Sequence, residues 1–271
     1  MSKIEKAIRK VAKDREFGAD QADSANDAAN AENVAISRQR VPAVIKIEPG
    51  QRFELDPVVL ERNRIIHPGF PEPALNSYKM LRTRVVQMIE DNNWQTIAIA
   101  SAKQGAGKTV TAINLAMTMA GYRNHHVYLL DLDLRKPGVA PDLGLPEDFV
   151  GLEDYLAGKS PINQVLWDIG IDGLTIAPSC ESVRDSSELI ASGGMGSLFS
   201  TILSSVTNPV IILHLPPILS ADDALAIAPS VDGMLLVVAE GTTAREDLSR
   251  AMDLLRTTNV IGVVLNKSVS V

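Results

Sequence analysis

The chain has 271 residues, a formal net charge of −7, 45% hydrophobic residues and 4% aromatic residues. The acidic balance and the shortage of aromatic rings argue against a protein that coats nucleic acid or stacks on its bases. No apolar run approaches the 18 or so residues that a membrane-spanning helix needs, and the single cysteine, Cys180, allows no intrachain disulfide. We therefore predict a cytoplasmic protein with one α/β domain of about 200 residues behind a tail.

The first 13 residues are predicted to form an amphipathic helix. Ile4, Ala7, Ile8 and Val11 recur at helical spacing, and basic residues supply the other faces. The apolar face is small and the segment is short, so we expect it to dock on a partner or to fray rather than to bind a membrane directly.

Residues 14–73 are predicted to be a flexible linker that continues into an extended lead-in. The first part is rich in Asp, Asn, Ala and Gln and buries too little apolar surface to offset the entropy of ordering. The lead-in, residues 51–73, contains four prolines. Residues 74–271 are predicted to form the folded domain, with a partly disordered tail before it.

Strands and helices are predicted to alternate throughout that domain. The predicted strands are 96–101, 126–131, 174–177, 209–215, 233–239 and 260–265. The predicted helices are 74–90, 108–121, 152–157, 186–206, 221–228 and 243–256. Nearly continuous apolar runs, such as residues 210–213, are typical of parallel strands with helices on both faces. The pattern predicts a doubly wound, mostly parallel α/β sheet.

Residues 101–109 read SAKQGAGKT, between the first predicted strand and the helix that follows it. Strand, glycine loop and helix with Lys-Thr at its start form the layout of a phosphate-binding P-loop. Backbone N–H groups would cradle phosphates, Lys108 would reach the β- and γ-phosphates, and Thr109 would ligate Mg²⁺. The candidate nucleotide-binding residues are Lys103, Gln104, Gly105, Ala106, Gly107, Lys108, Thr109, Val110 and Asn266.

The loop departs from the usual pattern at its start, where Ala102 replaces a glycine and Lys103 stands five residues before Lys108. A second lysine at this place resembles the deviant P-loop of MinD/ParA-type ATPases, in which it reaches the nucleotide of a dimer partner. A solvated loop lysine is an equally open interpretation of Lys103.

Two acids, Asp131 and Asp133, stand at the end of the apolar strand predicted at 126–131. Residues two apart project to the same side, so both carboxylates would face the ligand crevice. There they can hold Mg²⁺ or accept a proton from an attacking hydroxyl. Asn266, at the end of the last strand, could hydrogen-bond an adenine edge.

His214 occupies the strand end where P-loop NTPases usually carry an aspartate. Imidazole is a poor Mg²⁺ ligand. Either Thr109, Asp131 and Asp133 hold the metal unaided, or the site binds nucleotide and turns it over slowly; a hydrogen-bonded core histidine is the structural alternative. The missing acid leads us to expect that His214→Asp raises turnover.

Taken together, the motifs resemble the bacterial tyrosine kinases of polysaccharide export. The resemblance covers about residues 75–268 and the first helix, whose Ile4-Glu5-Lys6-Ala7 is similar to exosortase-associated tyrosine autokinases. The motifs that carry it are residues 101–109 with Asn114-Leu115-Ala116, residues 130–137, Leu143-Gly144-Leu145, residues 151–156, residues 187–190, Pro216-Pro217 and residues 264–267.

This resemblance implies ATP and Mg²⁺ as cofactors and phosphoryl transfer to tyrosine. It implies catalytic roles for Lys108, Asp131 and Asp133, with Asp131 favoured as the base, and metal contacts from Thr109, Asp131 and Asp133. The implied partners are a membrane-embedded chain-length or export protein and other copies of the chain. Through such a partner the protein would lie at the inner membrane without a membrane span of its own. No nucleic-acid partner is expected.

Three departures from the family pattern stand beside the resemblance. His214 replaces an acid, and no tyrosine follows Tyr155. The family's Glu-x-x-Arg-x-x-Arg oligomer motif here reads Asn76-x-x-Lys79-x-x-Arg82, so the acid is missing and one Arg has become Lys. Three hypotheses therefore stay open: an active tyrosine kinase, a nucleotide-binding regulator with weakened catalysis, and an ATPase whose dimer is switched through Lys103.

Overall fold

A computed structural model describes residues 47–268 of the chain. The predictions for residues 1–13 and for most of the linker lie outside these residues. Within 47–268, every helix is too short or too polar to cross a lipid bilayer. The strands are β1 (Gln51–Arg52), β2 (Thr96–Ser101), β3 (His126–Asp131), β4 (Trp167–Asp168), β5 (Leu174–Ala177), β6 (Pro209–His214), β7 (Gly233–Ala239) and β8 (Val260–Asn266). The helices are α1 (Pro57–Arg62), α2 (Glu72–Asn92), α3 (Lys108–Met119), α4 (Val139–Leu143), α5 (Leu152–Leu156), α6 (Ile162–Val165), α7 (Ser186–Ala191), α8 (Gly194–Leu203), α9 (Asp223–Ile227) and α10 (Arg245–Leu254).

The eight strands form one sheet in the order β1-β4-β5-β3-β6-β2-β7-β8, and every neighbouring pair is parallel except β4–β5. Strand β2 shows why both faces are covered. Its Ile97 and Ile99 enter one core cluster, whereas Ala98 and Ala100 enter the other. Each apolar strand therefore needs a helical layer on both sides. The predicted doubly wound, mostly parallel α/β fold is confirmed.

Two local predictions are wrong. The lead-in at 51–73 was expected to be extended, but it contains helix α1, which begins at Pro57 with the Asp56 carboxylate accepting the Val58 N–H. Proline suits the first helical position, because its missing N–H has no partner there. The single helix expected at 186–206 is divided between α7 and α8 at Gly193, whose φ of +91° ends helical geometry.

The segment after α1 is fastened to the helix that follows the phosphate loop. Asn114, fully buried in α3, accepts the Ile66 N–H at 2.9 Å and donates to the Arg64 carbonyl at 3.0 Å. Ile65, between these two residues, is itself fully buried. One side chain thus satisfies two backbone groups that would otherwise lack partners, and it fixes the position of residues 64–66 relative to α3.

We expect Asn114→Ala to lower the free energy of unfolding by about 2 to 4 kcal/mol, because two backbone groups lose their only buried partner. Chemical denaturation followed by circular dichroism measures the change. Asn92→Ala is the matched control, since the Asn92 amide bonds only to the Met88 carbonyl on an exposed helix face. Equal losses for the two variants would contradict a fastening role for Asn114.

Candidate functional site

The carboxyl ends of β2, β3 and β6 lie side by side, and the candidate residues follow from them. Asp131 is the last residue of β3, His214 is the last of β6, and the two are register partners across that ladder. Register partners carry their side chains on the same face of the sheet. The strand register therefore brings a carboxylate and an imidazole together on the face that α3 covers.

The loop after β2 has the backbone shape of an anion cradle. Gly105 and Gly107 have φ values of +81° and +91°, which turn N–H groups toward the concave side. Helix α3 begins at Lys108, so its free N–H groups and the positive end of its dipole face the same place. A Cβ on Gly107 would lie 2.0 Å from Asn266 Nδ2, and the φ of +91° would strain any residue that carries a Cβ, so glycine is strongly favoured there.

Lys108 forms a buried ion pair with Asp133. Its Nζ lies 2.7 Å from Asp133 Oδ2, and the two residues are 9% and 2% exposed. Asp133 Oδ1 accepts the Lys136 N–H at 3.2 Å. Each buried charge is thus neutralised by the other, and a phosphate in the loop would compete with Asp133 for the lysine.

A second buried chain of hydrogen bonds runs from Asp131 through His214 to Thr109. His214 Nδ1 lies 2.7 Å from Asp131 Oδ1, and His214 Nε2 lies 3.0 Å from Thr109 Oγ1. Asp131 and His214 are both fully buried. With the ring proton on Nδ1, His214 donates to Asp131 and accepts the Thr109 O–H, which leaves the Thr109 lone pairs free for a metal ion.

Four donors surround the Asp131 carboxylate. Oδ1 accepts from His214 and from the Asp133 N–H at 3.2 Å, and Oδ2 accepts the Gly138 and Val139 N–H groups at 2.9 Å each. Burial alone would raise the pKa of Asp131, but His214 and the two N–H groups outweigh it and hold that pKa below its ordinary value. Both oxygens of the carboxylate are therefore used in hydrogen bonds that fix the neighbouring groups in position.

The groups around Thr109 suit a magnesium ion that arrives with phosphates. Thr109 Oγ1 and the Asp133 carboxylate are oxygen donors, which Mg²⁺ prefers. A Cβ on Gly138 would lie 3.2 Å from Thr109 Oγ1, so the glycine leaves space beside that oxygen. Within residues 47–268 no cluster of three or more His, Cys, Asp or Glu side chains could hold a metal ion. Phosphate oxygens and water would have to complete its coordination.

The structure brings four of the predicted residues, Lys108, Thr109, Asp131 and Asp133, into one site. Lys103 points elsewhere, because its Nζ lies 2.7 Å from Asp247 Oδ2 on α10. Its contact with a dimer partner stays a prediction, as do the roles of Asp131 as base and metal ligand. Either role for Asp131 would break one of its four hydrogen bonds.

Asn266 lies beside the loop, as predicted, but its amide is largely engaged. Nδ2 donates to the Ala106 carbonyl at 2.9 Å, and Oδ1 accepts the Lys267 N–H at 2.8 Å. Asn266 therefore ties β8 to the phosphate loop and retains one N–H for a ligand. Val110 faces the same space, whereas Gln104 and Gly105 are exposed at the loop surface.

Two features of the site were missed at the level of sequence. A hydrogen-bonded core histidine was one interpretation of His214, but its partner was not identified; that partner is Asp131, 83 residues earlier. Arg135 was not assigned a role, yet its Nε donates to Asp223 Oδ2 and to Ser186 Oγ, both at 3.1 Å, and joins α7 and α9 to the site. The order of the strands brings these residues together, and local sequence patterns do not contain that order.

Known proteins match this chain in sequence and in fold. A family model described as "ParA: NUBPL iron-transfer P-loop NTPase" matches residues 92–271. The tyrosine-protein kinase YwqD of Bacillus subtilis is 32% identical over 212 residues, which is 76% of this chain and 86% of that protein. The succinoglycan biosynthesis transport protein ExoP of Rhizobium meliloti is 33% identical over 67% of this chain and 23% of its own length.

Among solved structures, the kinase domain of the Escherichia coli tyrosine kinase ETK superposes with a TM-score of 0.65 at 25% identity. The superposition covers 81% of this chain and 90% of that domain. The sequence and fold matches thus agree on the same group of P-loop proteins.

The contacts of His214 reverse the expectation that His214→Asp raises turnover. An aspartate there would remove a donor from Asp131 and bury a second carboxylate against it, so one of the two would have to be protonated. We expect the unfolding free energy to fall by about 2 to 4 kcal/mol at neutral pH, with turnover no higher than in the wild type. The loss should grow as the pH rises from about 5 to about 8, because the folded state then retains a proton that the unfolded state releases.

Two matched variants separate the contacts of His214. His214→Asn keeps a donor near the Nδ1 position for Asp131, and His214→Gln keeps an acceptor near the Nε2 position for Thr109. Chemical denaturation across the pH range should place both above His214→Asp in stability. A stable His214→Asp protein with raised turnover would contradict this account.

The lowered pKa of Asp131 predicts an acid-sensitive contribution to stability. Its folded pKa lies below the unfolded value of about 3.9, so the contribution is complete above that value and is lost as the pH falls through the folded pKa. We expect Asp131→Asn to cost about 2 to 4 kcal/mol at pH 7, and the gap to the wild type to narrow below about pH 4. Denaturation at each pH measures the gap. Asp253→Asn is the control, since Asp253 belongs to an exposed ion pair, and its stability should differ little from that of the wild type at every pH. A stability difference between Asp131→Asn and the wild type that widens in acid would contradict the lowered pKa of Asp131.

Proposed function

Because this chain belongs to the ParA-type P-loop NTPases and, within them, to the bacterial tyrosine-protein kinases, we propose that it binds Mg-ATP and transfers the γ-phosphoryl group to a tyrosine. The observation that carries the proposal is the Lys108–Asp133 pair at the start of α3. It places a buried cation at the mouth of an anion cradle and an acid beside it.

In this proposal, Lys108 leaves Asp133 for the phosphates. Backbone N–H groups of residues 105–109 bind phosphate oxygens, and the Lys108 ammonium neutralises the charge that they bring. Asp133 is then released as a carboxylate next to the transferred group. We assign the proton of the attacking tyrosine hydroxyl to Asp133 rather than to Asp131, because the Asp131 oxygens are already occupied by four donors.

Magnesium would be held through the Thr109 hydroxyl, and when bound it would neutralise charge on the phosphates. Asp131 contributes indirectly, since it orients His214, which, with its ring proton on Nδ1, accepts a hydrogen bond from the Thr109 hydroxyl. The chain carries a histidine at the position of the usual strand-end acid, and this histidine contacts the threonine hydroxyl. A histidine gives metal-bound water no anionic acceptor, so the wild-type His214 favours slow turnover.

The missing anionic acceptor supports a second candidate function, a nucleotide-binding regulator of polysaccharide production with weakened catalysis. Both functions place the protein in export of a cell-surface polysaccharide, by similarity to ExoP, whose name describes succinoglycan biosynthesis transport. We propose a membrane-embedded export protein as the partner in either case, and a peripheral location beside it. The two candidates differ only in whether phosphate is transferred.

We expect the full-length protein to bind Mg-ATP, and Lys108→Ala to weaken binding at least about a hundredfold, because a buried charge contact to phosphate is lost. Isothermal titration calorimetry measures the affinity. Lys159→Ala is the control, since Lys159 lies at the surface, paired with Asp154. No binding by the wild type at millimolar ATP would end the proposal.

Transfer is tested by incubating wild type and Lys108→Met with γ-labelled ATP and a tyrosine-containing polypeptide, with and without a candidate membrane partner. Label on tyrosine in the wild type alone supports the kinase. Labelled free phosphate without labelled tyrosine would contradict the kinase, and binding without any release of phosphate would support the regulator.

A further inference from the structure

A cavity of about 490 Å³ opens beside the phosphate loop. One side is formed by Gly107, Val110 and Asn266, and the other by residues between 61 and 78, which we call the lead-in wall. Pockets of about 300 to 1,000 Å³ are typical of small-molecule sites. The volume therefore suits a ligand the size of a nucleoside.

The cavity is continuous with the place where phosphates would lie. Gly107 and Val110 flank the Lys108-Thr109 pair, and they belong both to the cradle and to the cavity lining. When the phosphates of a ligand bind the N–H groups of the loop, the rest of the ligand must lie only a few bonds away from the loop. This cavity borders the loop at that point, and the remaining N–H of Asn266 lies on its edge.

The lead-in wall offers an aromatic surface. The rings of His67 and Phe70 meet edge to face, with centroids 5.9 Å apart and planes at 87°, and both residues are half-buried. Gly69, with a φ of +94°, makes the turn between them. Each ring holds the other in one orientation, so an aromatic face is pre-arranged for a flat ligand.

The wall is fixed to the phosphate site by side chains outside the cavity. Asn114 holds residues 64–66 to α3, and the Asn63 amide donates to the Asp142 carbonyl at 2.8 Å. Tyr78 lines the cavity from α2. The hydrogen bonds of Asn114 attach the wall to the helix that follows the phosphate loop, so a ligand could contact the wall and the loop together.

We infer that this cavity is the base-and-sugar subsite of the nucleotide site, with the Phe70 ring as the stacking surface for the base and the perpendicular His67 ring packed against Phe70. Eight of the twelve lining residues precede residue 92, where the match to the family model begins. The chain therefore supplies most of this subsite from a segment outside the part that the ParA family model matches. The inference rests on the proposed nucleotide binding, and it assigns to the lead-in a role in ligand recognition.

The test compares Mg-ATP with magnesium tripolyphosphate, which carries the phosphates without base or sugar. In calorimetry, Phe70→Ala should weaken Mg-ATP about five- to hundredfold, the range for loss of one base–aromatic stack. The same variant should bind tripolyphosphate within about twofold of the wild type. Met80→Ala, an exposed residue on α2 outside the cavity, should leave both ligands unchanged.

A spectroscopic variant gives a second readout that does not depend on removing a side chain. Phe70→Trp should lose fluorescence when Mg-ATP is added and should not respond to tripolyphosphate, because only the nucleotide brings a base against the ring. Met80→Trp is the control for quenching by free nucleotide.

Three results would overturn the inference. Unchanged Mg-ATP affinity in Phe70→Ala, with no quenching in Phe70→Trp, would exclude the subsite while leaving nucleotide binding intact. Equal weakening of both ligands would mean that the wall only shapes the phosphate loop. Failure of the wild type to bind either ligand would overturn this inference and the proposed function together.

Discussion

Burial of charge is the constraint on which the rest of this site depends. Asp131 and Asp133 lie at the end of β3 with exposures of 0% and 2%, and neither carboxylate could stay ionised there without partners. The two find different partners. Asp131 is held by a histidine and three backbone N–H groups, whereas Asp133 is paired with the lysine of the phosphate loop.

This difference divides the site into a fixed part and an exchangeable part. All the donors to Asp131 belong to the protein, and a bound phosphate would offer them no alternative partner. Asp131, His214 and Thr109 therefore form a scaffold. Lys108 has an alternative partner in any phosphate that enters the loop, and exchange would free Asp133 when a nucleotide arrives. Under the proposed function, two similar acids two residues apart would take separate roles because their surroundings differ.

Sequence reasoning located the strands, the loop and the acids because their signals are local. The apolar runs predicted β2, β3, β5 and β7 at their observed bounds, and the glycine loop with Lys108 and Thr109 needs only its own residues to be identified. The His214–Asp131 contact depends on the order of strands in the sheet, which no local pattern contains. The lead-in was misjudged because its prolines suggested extension, whereas Leu60 and Ile65 bury it against the domain.

The most direct test of the central claim is a crystal structure with Mg²⁺ and a non-hydrolysable ATP analogue. The account predicts that Lys108 Nζ leaves Asp133 for the phosphates, that His214 stays between Asp131 and Thr109, and that the base lies against Phe70. A nucleotide bound with the Lys108–Asp133 pair still closed, or with His214 displaced from Asp131, would contradict the division between scaffold and exchangeable pair.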